Sequence, residues 1–176
     1  MRALGPGSVS SFLKIILDVA FYVLWFVVGC MSLATLAVVL FSFNPALLGD
    51  KISFNGMGEA KVTVPMMAAA VAGLTVYIGG ILAIVERLRR IFQTLTAGDP
   101  FHPDNVRRLR VIGLILGGLE LGRYLFWGGM ALMAPGLNKS EGGLNLTTWF
   151  SVLVIFVLAE VFREGARLRR EAELTI

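Results

Sequence analysis

The chain has 176 residues, 56% hydrophobic and only 16% charged, where a soluble domain carries about 25% charged residues. With a mean hydropathy of +0.77, this composition excludes an ordinary soluble domain and leaves a helical membrane protein. A net charge of +4 and a pI near 9.6 would suit a nucleic-acid binder, but the basic residues are sorted by membrane side, so direct nucleic-acid binding is not expected.

Four apolar stretches run over about 19–43, 66–85, 111–133 and 144–159, the last continuing to about 162. Each approaches the ~20 residues a helix needs to cross a bilayer core. The expected fold is all-α: a membrane-embedded four-helix bundle forming one domain, with helices 2 and 3 projecting as a cytoplasmic hairpin. The first stretch is longer than the ~7–15 residues of a signal-peptide core and is read as a retained span. With the N-terminus inside, Arg2, Lys14, Arg87, Arg89, Arg90, Arg107, Arg108, Arg110, Arg163, Arg167, Arg169 and Arg170 are cytoplasmic. Lys51, Lys61 and Lys139 fall outside, and Arg123 lies within a span. This bias places both termini in the cytoplasm.

The outside loop at 44–64 opens on Asn44-Pro45 and holds two short alternating segments about Asn55-Gly56-Met57-Gly58, the pattern of a small β-hairpin. The second helix is expected to outrun the bilayer. Leu88, Ile91, Phe92 and Leu95 share a face at i, i+3, i+4 and i+7, so the helix continues to about Thr96 and stops at Gly98 and Pro100. His102 then falls at an N-cap, Pro103 at the first helical position, and Phe101 and Val106 at the spacing of a hydrophobic staple. The charged end of the fourth helix is expected near this turn or along the inner leaflet.

Glu120 lies ten residues from Arg110, about 15 Å into the membrane. Ionisable groups there are costly and are candidate functional residues by default. Arg123 is one turn away and can neutralise it. Ser32, Thr35, Thr75, Tyr77, Tyr124 and Ser151 lie at similar depth, and a polar cluster including Glu120, Arg123, Tyr124, Thr75 and Tyr77 is the candidate intramembrane site. A register-setting pair is favoured over a proton or solute site, because a self-neutralised pair is a poor carrier. Gly113, Gly117, Gly118 and Gly122 are spaced for close helix approach, within the bundle or in a homodimer. Asp18 and Glu160 are expected to pair at the inner interface with Lys14, Arg87, Arg110 or Arg163. Cys30 is expected to pack as a small apolar residue against a neighbouring helix.

With one histidine and one cysteine, no metal site and no cofactor is expected. No nucleophile triad or phosphate-binding glycine loop is present. The arginines at 87, 89, 90, 107, 108, 110, 167, 169 and 170 form the candidate cytoplasmic interaction surface. They are available to anionic lipid or to a protein partner.

Two segments, 98–113 and 159–176, carry a resemblance. Pro100-Phe101, Asn105, Arg108-Leu109-Arg110, Ile112-Gly113 and the closing Glu173-Leu174-Thr175-Ile176 resemble the YoaS-like family of bacterial inner-membrane proteins, a domain of unknown function. His102 stands where that family often has a hydroxyl residue, and Ala172 where a polar residue is usual. The resemblance implies a four-span fold and no catalytic residues. It also implies a regulatory partnership, since relatives are often encoded beside small helix-turn-helix regulators. A non-enzymatic regulatory or interaction role is the leading expectation, and a small oligomeric transporter or channel using Glu120 and Arg123 is the alternative.

Overall fold

In the computed structural model, residues 9–43, 64–133 and 143–174 are described. They form four helices: α1 (Val9–Phe43), α2 (Val64–Thr96), α3 (Pro103–Met133) and α4 (Leu146–Leu174). Among the described residues there is no strand. The hairpin expected at 44–64 lies outside them.

Helices α1, α2 and α4 are long and apolar enough to cross a membrane. Helix α3 is of similar length but does not stand with them on apolarity, because Glu120 and Arg123 interrupt it and arginines fill its first turns. In the most apolar windows of α1 and α2 no residue is buried. Phe26 is 73% exposed and Leu125 77%. Large apolar side chains uncovered along whole helices call for a hydrocarbon solvent.

Neighbouring helices run antiparallel. Gly73 faces Phe126 and Gly80 faces Leu119, so seven residues forward on α2 match seven back on α3. Gly113 faces Ile155 and Phe156, while Arg110 reaches Glu160, which sets α3 against α4 in the same way. Thr35 against Thr75 and Asp18 against Arg89 set α1 against α2. Extensive contacts join α1 to α2, α2 to α3 and α3 to α4. Packing is thus chiefly serial, each helix lying mainly against its neighbours in the chain.

The core is small and sits at the α2–α3 turn. Ile91, Leu109, Ile112 and Ala159 are buried together, with Leu88, Leu95 and Phe162 packed on them. The apolar row read on the second helix therefore faces α3 and α4 at Leu88, Ile91 and Leu95. Phe101 packs onto α4. Its ring lies 5.8 Å from that of Phe162, and a Cβ at Gly165 would come within 2.5 Å of it. Gly165→Leu is therefore expected to displace Phe101 and destabilise by about 1–3 kcal/mol through overpacking. Thermal unfolding in detergent checks this, and a Gly165→Leu protein as stable as wild type would show that the ring moves freely.

The small residues of α3 divide. Gly113 does bring α4 close, with Phe156 only 3.1 Å from where its Cβ would lie, but Gly117, Gly118 and Gly122 have nothing within 4 Å. The close approach of α2 to α3 uses Gly73 and Gly80 instead. Cys30 is exposed on α1 rather than packed on a neighbour.

Candidate functional site

The α2–α3 turn is built by local rules. Gly98 has φ of +85°, the left-handed conformation glycine tolerates best. The N–H of Asp99 bonds Thr94 O at 3.0 Å and that of Gly98 bonds Leu95 O at 3.1 Å, which closes α2 with a Schellman motif. At the start of α3, the Asp104 N–H donates to His102 Nδ1 at 3.2 Å, and the Asn105 N–H donates to His102 O at 2.9 Å. His102 is thus the N-cap.

Asn105 is the centre of this turn. It is completely buried. Its Nδ2 donates to Thr94 Oγ1 at 2.8 Å and to Pro100 O at 3.1 Å. Thr94 passes its own proton to Ile91 O at 2.7 Å. Asn105 Oδ1 accepts from Arg108 Nη1 at 2.9 Å, and the same nitrogen reaches Arg90 O at 3.1 Å. One amide therefore ties the end of α2, the connecting turn and the first turns of α3. Among the described residues, no buried side-chain polar atom lacks a partner.

The motif residues share this job. Pro100 supplies a carbonyl, Phe101 lies on α4, Asn105 and Arg108 bond across the turn, and Leu109 and Ile112 enter the core. Gly113 admits Phe156. Helix α4 runs unbroken past this turn and pairs Arg169 with Asp99. Its charged end therefore lies beside the turn, the first of the two expected positions. A family model described as "Protein of unknown function (DUF2975)" matches residues 22–176.

The chain belongs to this family. The DUF2975 match covers all four helices apart from the start of α1 and takes in the whole turn. No curated protein and no solved structure matches the chain.

The polar residues expected at mid-membrane divide into two places. Thr35 and Thr75 join their hydroxyls at 3.0 Å between α1 and α2. Ser32 and Ser151 bond back to their own helices, and Tyr77 is exposed. Glu120, Arg123 and Tyr124 gather at the head of α4. Glu120 is buried and receives Arg123 Nη2 at 2.6 Å and Nε at 3.3 Å. Arg123 also donates to Gly143 O at 3.2 Å, and its guanidinium lies 4.8 Å from the Tyr124 ring centre. Tyr124 Oη accepts the Asn145 N–H at 3.0 Å. Asn145 then caps α4 by accepting the Thr148 N–H on Oδ1 at 3.4 Å. Arg123 and Tyr124 thus satisfy the Gly143 carbonyl and the Asn145 N–H just before α4.

The arginines also divide. Arg89 pairs with Asp18 and lies over the rings of Phe21 and Tyr22. Asp18 thus takes a partner that the sequence reading did not name. Glu160 takes Arg110 and Arg163, as expected. Arg167 is shared by Glu164 and Glu171. Arg170 is exposed. Arg87, Arg90, Arg107 and Arg108 line one cavity of about 310 Å³ between α2 and α3. Among the described residues, no group of His, Cys, Asp or Glu is placed to hold a metal ion.

Thr94, Asn145 and the glycines of α2 escaped sequence reading. In the sequence Asn105 stands out only as part of the motif. A polar residue in a turn flanked by apolar periodicity, with a hydroxyl eleven residues earlier, was the available signal.

Proposed function

We propose that this is a non-enzymatic bacterial inner-membrane protein of the YoaS-like type, with four crossings and both termini cytoplasmic. Its turn and C-terminal helix form a rigid platform for a cytoplasmic protein partner. The observation that carries this reading is the location of the core. Burial concentrates at the α2–α3 turn, where Ile91, Asn105, Leu109, Ile112, Ala159 and Ala166 are all buried. Rigidity at one end is what a docking surface needs, because a preordered surface loses less entropy on binding.

Register supports a crossing by α3 as well. Asn105 lies against Thr94 and Phe126 against Gly73. Helix α3 therefore occupies the same depths as the apolar run of α2. Its two charges neutralise each other, which lowers the cost of that depth. Reporter fusions at Ile176 and Gly142 test the topology. A cytoplasmic signal at Ile176 and an external one at Gly142 are expected, and an external signal at Ile176 would sink the arrangement.

Arginine dominates the platform, so the partner is expected to present acidic surface. A small helix-turn-helix regulator is the class that the family resemblance implies. A photo-crosslinker at Arg170, in native membranes, should trap one soluble protein that a crosslinker at Phe26 does not. Identical adducts from both positions, or none from Arg170, would remove the platform reading.

A further inference from the structure

Arg87 and Arg90 are one turn apart on α2. Arg107 and Arg108 face them from α3, and Val111, the first residue of the apolar run, completes the described lining. Among the described residues, Asp104 is the only carboxylate in the lining. Behind it Glu86 pairs with Arg90 and lies 3.6 Å from Arg87. Asp104 reaches Arg108 at 3.9 Å. Four guanidinium groups are thus opposed by two carboxylates, and Arg107 has no ion pair among the described residues. The four groups converge on one concavity from two helices.

We infer that this cavity is a binding site for the phosphate of an anionic phospholipid. Arginine presents a planar fork of donors that matches a phosphate oxygen pair. Basic pockets between membrane helices on the cytoplasmic side suit such headgroups. Position selects the lipid over a free anion. Val111 and the exposed Leu114 one turn deeper offer an acyl chain an apolar track directly below the arginines. Arg108 is held by Asn105 and by Arg90 O, so part of the cradle is ordered before the headgroup arrives. The site rests on the reading that α2 and α3 cross the membrane together. The topology fusions test that reading separately from lipid binding.

The test is native mass spectrometry of the full chain from nonionic detergent, with added phosphatidylglycerol or with phosphatidylcholine of the same acyl chains. Wild type should retain phosphatidylglycerol in preference to phosphatidylcholine. The double variant Arg87→Gln with Arg107→Gln should lose that retention by roughly tenfold or more, given that each basic contact is lost. A second double variant, Lys14→Gln with Arg163→Gln, removes the same charge elsewhere and should retain the lipid. Unfolding curves without lipid establish that each variant is folded, and Arg107→Gln alone replaces the first pair if it is not. Equal retention of both lipids, or equal loss in the two double variants, overturns the site. Millimolar inorganic phosphate that stabilises the protein as much as phosphatidylglycerol does would overturn the lipid assignment in favour of a free anion.

Discussion

Arg123→Leu is expected to destabilise the protein strongly, lowering the unfolding temperature in detergent on the order of 5 °C or more. The reason is what it leaves behind. Glu120 is buried and takes two hydrogen bonds from Arg123. Removing one partner of a buried pair strands the other charge or forces it to protonate. The double variant Glu120→Leu with Arg123→Leu removes both charges and should recover most of the loss. It should not recover all of it, because Arg123 also holds Gly143 O and stacks on Tyr124. A residual deficit, shared by Tyr124→Phe through the freed Asn145 N–H, is the signature of a clamp on the head of α4. A double variant as unstable as the single would show that the two residues serve different partners.

Asn105→Ala should cost about 2–4 kcal/mol, since it removes three hydrogen bonds made by a wholly buried amide. Thr94 Oγ1, Pro100 O and Arg108 each lose a partner. Asn105→Asp distinguishes the two sides of the amide. It keeps an acceptor for Arg108 and loses both donors, so its unfolding temperature should fall between wild type and Asn105→Ala. If Asn105→Ala unfolded within about a degree of wild type, the network would hold nothing and the motif would need another explanation.

These two variants also separate two ends of the molecule. Both the Glu120–Arg123 pair and Asn105 are buried polar groups, but one secures the start of α4 and the other the end of α2. In a serial packing of helices, each junction depends on its own few contacts. Loss of the Asn105 network is expected to loosen the arginine cavity beside it, whereas loss of the Arg123 clamp is expected to leave that cavity intact.

Residue chemistry alone determined a good deal of this protein. Hydropathy marks the helices, and the run of Leu88, Ile91 and Leu95 carries the second helix beyond its apolar part because a 3.6-residue period is a local property. Gly98, Pro103 and His102 place the turn through backbone conformation and capping, which are also local. The pairing of Glu120 with Arg123 was legible for the same reason, as one turn of helix separates them. What the sequence could not disclose depends on which helix faces which. Hydrocarbon rewards every apolar face alike, so hydropathy does not say that α1 leans on α2, or that α2 and α3 meet through Gly73 and Gly80 rather than through the glycines of α3. Long-range partners were hidden likewise: Asp18 for Arg89, Asp99 for Arg169, Gly143 for Arg123 and Thr94 for Asn105. Each joins residues from different helices or opposite sides of a turn, and only tertiary packing brings them within hydrogen-bonding distance. The arginine cavity belongs to this second kind. Its four cations were visible as charge near the membrane, but their convergence on one concavity required α2 and α3 to fold back on each other in a fixed register.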